Sequence, residues 1–180
     1  MFKIEDLQAQ VRKPGIYFNL SNEEYHADKS LSNSGMEALL YKSPKHYWFS
    51  SPLNPNRKPF DSDAFRKGRV LHTLLLEPEK FAAEWTIKKG VKTSSVPFTV
   101  GEGEYNEIQM AVIELRADPV INALFTYGFP EVSIFWVDEK TGVPCRVRTD
   151  WLGTVLVGDL KSTSDLGDYK LRYSIVDYGY

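Results

Sequence analysis

Three ionisable side chains near the C-terminal end carry the most specific chemical signal in the sequence. The run Thr154-Val155-Leu156-Val157-Gly158-Asp159-Leu160-Lys161 is largely apolar and ends on an acid and a lysine one residue apart. In an extended chain side chains alternate between faces, so Asp159 and Lys161 share one face with Val155 and Val157, while Leu156 and Leu160 line the other. Charges in such a run sit where a sheet normally stays dry, which is costly unless they are paired or hold an ion. Asp150 reaches the same place by counting. A two-residue loop at Gly153-Thr154 makes it the diagonal neighbour of Asp159, with Cα atoms about 7–8 Å apart. A four-residue loop sets the two directly opposite. In either register two carboxylates reach one cation with a lysine alongside, and hard divalent ions such as Mg²⁺ take that oxygen set. A surface hairpin with an ordinary Asp–Lys pair would show the same three residues, so the spacing alone leaves both readings open.

The elements that must position these groups follow from periodicity. A helix over about 63–76 carries Phe65, Gly68, His72 and Leu75 on one continuous face. Gly68, one turn before His72, would let the backbone approach the sheet and aim His72 at the acid pair. A buried, hydrogen-bonded histidine is the alternative for His72. His26 and His46 have no such context and read as surface residues. Earlier, Ser34 to Glu37 fits a capping box with Met36, Leu39 and Leu40 behind it. Ser43 and Pro44 start a second short helix, docked by Tyr47, Trp48 and Phe49. Residues 86–103 read as irregular or strand-like, and a helix over about 104–116 places Ile108, Val112 and Leu115 on one side. The period then changes to two. Residues 131–137, 143–151 and 154–161 read as three consecutive strands, and the chain from Ser162 begins as a loop and turns helical. The fold class is mixed α/β: a central antiparallel or mixed sheet flanked by helices. One domain over 1–180 is expected, with a helical N-terminal part (1–60) and a catalytic core (61–180).

Composition removes several classes. The 180 residues hold 22 Lys and Arg against 24 Asp and Glu, a net charge of −2. That balance argues against a polybasic binder whose affinity rests on bulk phosphate neutralisation. With 4 Trp, 10 Tyr and 10 Phe the chain is too aromatic for disorder. The single Cys145 excludes disulfide frameworks and four-cysteine zinc or iron–sulfur sites. Acids at Glu5 and Asp6 replace the apolar run of a signal peptide, and no apolar stretch approaches bilayer-spanning length. The expectation is a soluble cytoplasmic protein.

Several pieces of the chain fall in a recognisable order. They are Leu31-Ser32-Asn33-Ser34-Gly35-Met36 with Ser43-Pro44-Lys45-His46-Tyr47; Gly68-Arg69-Val70-Leu71-His72; Glu131 at a strand start; Arg146-Val147-Arg148-Thr149-Asp150; and Val157-Gly158-Asp159-Leu160-Lys161-Ser162-Thr163. Together they resemble the PD-(D/E)XK nuclease superfamily and, within it, the phage-type exonuclease VIII family of recombination exonucleases. The resemblance implies a restriction-endonuclease-like core. It implies His72, Asp150 and Asp159 as metal ligands, helped by the backbone carbonyl of Leu160. Lys161 would orient the attacking water and stabilise charge on the scissile phosphate, and Glu131 matches an acidic position at the mouth of the site. The implied cofactor is Mg²⁺, with Mn²⁺ tolerated because one ligand is nitrogen. The implied reaction is metal-dependent hydrolysis of linear double-stranded DNA from its ends, 5′ to 3′, in phage or prophage recombination. Homo-oligomers and a single-strand annealing protein are the implied partners, with no membrane association.

Phosphodiester hydrolysis suits these residue types, because it needs an activated water and neutralisation of the charge that builds on phosphorus. Basic candidates for DNA contact are Arg57 and Lys58, then Arg66, Lys67 and Arg69 on the outer face of the His72 helix, then Lys88, Lys89 and Lys92. Each group is otherwise an ordinary solvated face. The family's Gln-x-x-x-Tyr helix would follow the Asp-x-Lys strand. Here the sequence ends at Asp177-Tyr178-Gly179-Tyr180, with no glutamine after Gln109. The expectation is that this helix is missing and turnover reduced. The competing reading is a truncated prophage remnant, weak or inactive in catalysis, that binds DNA or a protein partner.

Overall fold

Capping residues decide where the short N-terminal helices begin. The computed structural model describes residues 4–58, 62–92, 96–163, 167–169 and 172–173; the expected helical turn after Ser162 and the final Tyr178-Gly179-Tyr180 lie largely outside them. Helix α1 (Ile4–Gln8) precedes strand β1 (Gly15–Tyr17) and helix α2 (Asn22–Ala27). Ser21 caps α2 with a full capping box, its Oγ accepting from the Glu24 amide while the Glu24 carboxylate accepts from the Ser21 amide. Helix α3 (Asn33–Glu37) is capped by Ser32, not by Ser34 as expected; the Ser32 hydroxyl accepts from the Gly35 amide at 3.2 Å. A π-helical turn over Ala38–Lys42 leads to α4 (Pro44–Ser50), where Ser43 caps and Pro44 opens the helix as its sequence implies. The expected apolar docking does not occur. Met36, Leu39, Leu40, Trp48 and Phe49 are exposed, and only Tyr47 packs in, against Gly35.

Helix α5 spans Asp63–Leu76, the expected segment, yet of the expected face only Leu75 is fully buried. Arg66, Val70 and Leu74, with Leu75 and Leu76, point inward, while Phe65 is exposed. No described atom lies within 4 Å of where a Gly68 side chain would begin, so close approach at Gly68 is not what brings the helix to the sheet. The pattern misleads because the inward row opens on an arginine. Arg66 Nη2 donates to both carboxylate oxygens of Glu104 at 3.2 Å, and its Nη1 pairs with Asp63 at 2.6 Å. Arg66 is therefore an internal tie and not part of an outer DNA-binding face. Charges so deeply buried persist only when paired in this way.

Helix α6 (Pro78–Glu84) follows, then a short parallel pair, β2 (Thr86–Lys88) with β3 (Thr99–Gly101), then α7 (Glu102–Ala117) and α8 (Pro119–Leu124). Val112 of α7 is buried, with Ile108 and Leu115 packed beside it, as the helical spacing predicts. The main sheet adds β4 (Gly128–Val137), β5 (Pro144–Gly153) and β6 (Val157–Gly158) in the order β1-β4-β5-β6, antiparallel throughout. Val70, Leu75, Phe81, Trp85, Val100, Val112 and Trp151 form the core between helices and sheet. Each such side chain contributes about 1.5–3 kcal/mol of burial.

The third strand of the meander is much shorter than expected. Leu152 pairs with Val157 and Trp151 with Gly158, which is the four-residue-loop register. Val155 and Val157 are 91% and 63% exposed, so the run leading to Asp159 is not a dry sheet interior.

Candidate metal centre

Strand alternation assembles the site. Along β5, Arg146, Arg148, Asp150 and Leu152 share one face. On β4, Phe135, Ser133 and Phe129 stand opposite Arg146, Arg148 and Leu152. Glu131 lies between Pro130 and Val132, whose partners Trp151 and Thr149 flank Asp150. The two acids therefore face each other across the ladder. Glu131 has φ of 51°, a left-handed conformation that a glutamate seldom adopts. Such backbone costs of order 1–3 kcal/mol and persists where neighbours over-determine it. Here its carboxylate is held from two sides: Oε1 lies 3.6 Å from His72 Nδ1, and Oε2 lies 3.8 Å from Arg148 Nη1.

Helix α5 supplies His72, which points into the site. Its Nδ1 lies 3.6 Å from Asp150 Oδ1, and its Nε2 is 3.0 Å from the Leu160 carbonyl oxygen. Asp150 Oδ2 accepts from the Leu160 amide at 2.6 Å. The Leu160 peptide is thus gripped at both ends, its N–H by Asp150 and its C=O by His72, while its side chain packs against the core. This grip fixes the chain just beyond β6. Asp159 Oδ1 accepts from Lys161 Nζ at 2.7 Å, and both side chains are partly open to solvent.

One donor atom each from His72, Glu131 and Asp150 lies within 4.8 Å of the others. Glu131, expected only at the mouth, is a full member of this cluster. Asp159 stands beside it, directed at Lys161, yet near enough for its charge to act on Asp150. Burial pushes the Asp150 carboxyl above its ordinary range, reinforced by Asp159 and Glu131 and opposed by His72 and the Leu160 amide. For His72 burial is the largest influence and disfavours the cation. The adjacent Glu131 carboxylate, the Asp150 charge and the Leu160 carbonyl outweigh it, and its pKa is raised.

Two partly buried acids facing each other beside an imidazole form a costly arrangement that a cation would relieve. The mixed oxygen and nitrogen set fits a divalent ion of the Mg²⁺ or Mn²⁺ kind. His72, Asp150 and Glu131 would hold it. When bound, such an ion activates water and offsets negative charge on a phosphate.

A direct consequence is pH dependence. Ligands must be unprotonated, and the proton on His72 is held more tightly than on an ordinary histidine. Mn²⁺ affinity should therefore rise with pH as His72 loses its proton, at higher pH than an ordinary histidine would. Calorimetry across that titration checks it, and a flat profile would remove His72 from the ligand set.

Sequence reasoning missed Arg148, although alternation back from Asp150 on β5 places it on the site face. It donates to Ser133 Oγ at 2.9 Å and to the Leu20 carbonyl at 2.8 Å, and stacks over Tyr25 at 4.3 Å. Of the basic candidates, Lys67 and Lys92 pair with Glu104 and Glu107, and Arg57 donates to the His26 carbonyl. Lys58, Lys88 and Lys89 are exposed. His26 and His46 lie at the surface as expected.

An antiparallel sheet carrying facing acids, flanked by helices of which one delivers a histidine, is consistent with a PDDEXK-like fold. The chain belongs to the family described as PDDEXK-like domain of unknown function (DUF3799), which matches residues 32–180. That membership supports the PD-(D/E)XK superfamily and a nuclease-type, hydrolytic function, with the divalent-metal dependence general to such nucleases. No curated protein matches the sequence. No helix among the described residues is long and apolar enough to cross a membrane.

Proposed function

We propose that this chain is a metal-dependent exodeoxyribonuclease of the exonuclease VIII type, degrading linear double-stranded DNA from its ends, 5′ to 3′, in phage-type recombination. The observation that carries this reading is the cluster of Glu131 and Asp150 on the β4–β5 hairpin with His72 delivered by α5, beside which the chain leaving β6 presents Asp159 and Lys161. In it His72, Asp150 and Glu131 bind Mg²⁺ or Mn²⁺, with Asp159 completing the acidic set as DNA enters. Lys161 orients the attacking water and neutralises the phosphate. Duplex ends are the substrate, and self-assembly into a ring would add together basic patches that are sparse on one subunit. A single-strand annealing protein is the proposed downstream partner.

The test compares linear duplex DNA with a covalently closed circle of the same sequence, with Mg²⁺ or Mn²⁺ supplied. Nucleotides should be released from the linear form alone, with a label at the 5′ terminus lost first. Comparable cutting of the circle would make the enzyme an endonuclease. Loss of a 3′ label first would reverse the polarity.

A further inference from the structure

Beside the metal centre the sheet face changes character abruptly. Phe129 and Leu152 form the same-face cross-strand pair next to Glu131 and Asp150, two residues along each strand, or roughly 6.6 Å. From there a groove of about 550 Å³ opens, walled by Phe18, Tyr127, Phe129 and Leu152 and floored by Gly128 and Gly153. Its lining among the described residues carries no charged group. Phe18 and Phe129 meet edge to face at 4.9 Å, yet they are 49% and 57% exposed, and Tyr127 is 74% exposed. A side chain at position 128 would begin 2.6 Å from both the Leu152 carbonyl oxygen and Trp151 Nε1, so that position must be glycine.

The groove is tied mechanically to the metal centre. Phe18 leads through a left-handed Asn19 (φ 59°) to Leu20, whose carbonyl accepts from Arg148. Arg148 also holds Glu131. One arginine therefore fixes both the aromatic wall and a member of the acid cluster.

An uncharged aromatic groove suits neither phosphate, which needs cations, nor the hydrogen-bonding edges of paired bases. It suits the flat face of a nucleobase, which stacks on aromatic rings with little regard to sequence. In a duplex those faces are covered by neighbouring pairs, except at an end or where a nucleotide is unpaired. A base is joined to its phosphate through one sugar, so a phosphate at the acid cluster leaves its own nucleotide's base within reach of Phe129. We propose that Phe18, Tyr127 and Phe129 form a stacking shelf for an unpaired terminal base of the DNA strand being cut, an inference that rests on the nuclease reading above.

The experiment pairs shelf variants with DNA lacking a base. Linear duplexes carry either a normal nucleotide or an abasic one at each of the two terminal positions of the cleaved strand, and kcat/KM is measured for wild type, Phe129→Ala, Phe129→Leu and Phe129→Tyr. On normal DNA, Phe129→Ala and Phe129→Leu should each lose about tenfold, the scale of one stacked base, while Phe129→Tyr holds the wild-type value. Removing the base from one terminal position should cost wild type a similar factor and cost Phe129→Ala almost nothing further. Multiplying losses in Phe129→Ala, or full activity of Phe129→Leu, would overturn the shelf. So would a change in oligomeric mass of Phe129→Ala by light scattering, which would make the groove a contact between copies of the chain. Wild-type and Asp150→Asn proteins run alongside. Cleavage by wild type that Asp150→Asn abolishes, combined with base-independent losses at Phe129, defeats the shelf alone; no Asp150-dependent cleavage defeats the nuclease reading and the shelf with it.

Discussion

Asp150→Asn should lose Mn²⁺ affinity by more than the 10–100-fold that removal of a mere supporting partner of a metal ligand costs, and DNA hydrolysis with it. The substitution preserves shape. An asparagine carbonyl still accepts from the Leu160 amide, as Asp150 Oδ2 does at 2.6 Å, and its amide can donate to His72 Nδ1 when that nitrogen is unprotonated. What disappears is the charge. Burial and two neighbouring acids hold the Asp150 pKa above its unfolded value. A carboxyl whose folded pKa is raised binds its proton more tightly in the native state, so ionising it above that pKa costs stability. Metal-free Asp150→Asn protein should therefore be at least as stable at neutral pH as wild type, by urea denaturation in chelator. Gain or parity in stability combined with loss of metal and activity marks a residue placed for function and not for folding. Calorimetry with Mn²⁺ decides the first half, and unchanged affinity would remove Asp150 from the metal centre. A marked fall in metal-free stability would instead make it a structural anchor for the Leu160 peptide.

The parts of this site that were legible in sequence are those set by local rules. Helix α5 spans the segment its periodicity marks, and the Asp150 strand has its expected alternation. The parts that were not legible depend on partners distant in sequence. Which face of α5 is buried turns on Arg66 finding Glu104 across 38 residues, a pairing that no window of helical periodicity contains. Whether Asp150 faces Asp159 depends on loop length, and Gly153-Thr154 permits either register; the backbone takes the longer loop and leaves Val155 and Val157 in solvent. The place of Glu131 was hidden for a different reason. Its left-handed backbone is held by Arg148 and His72, so its inclusion in the cluster is a property of the assembled face and not of its own strand. Dependence on non-local contacts explains why the acid, lysine and histidine types stand out in the sequence while their placement relative to one another does not.

The division of labour is sharpest at Lys161, where an effect on rate is expected without one on metal binding. The ammonium donates to Asp159 and is not a metal donor, and the grip of Asp150 and His72 on the neighbouring Leu160 peptide fixes the backbone that carries it. A cation so placed matters most when negative charge builds on the phosphate, because only interactions stronger in the transition state than in the ground state accelerate the reaction. Lys161→Ala should lower kcat by roughly 10²–10³-fold, the scale for loss of one preorganised electrostatic donor, with KM nearly unchanged. Mn²⁺ affinity should hardly fall, in contrast to Asp150→Asn. Lys161→Arg should recover part of the rate, since it restores charge but not the compact ammonium geometry. Steady-state cleavage of linear duplex DNA, with metal affinity measured on the same proteins, separates the roles. Normal turnover by Lys161→Ala would reduce the lysine to a partner of Asp159 on an exposed hairpin. A loss confined to metal affinity would mean that Lys161 acts by holding Asp159 in position for the ion.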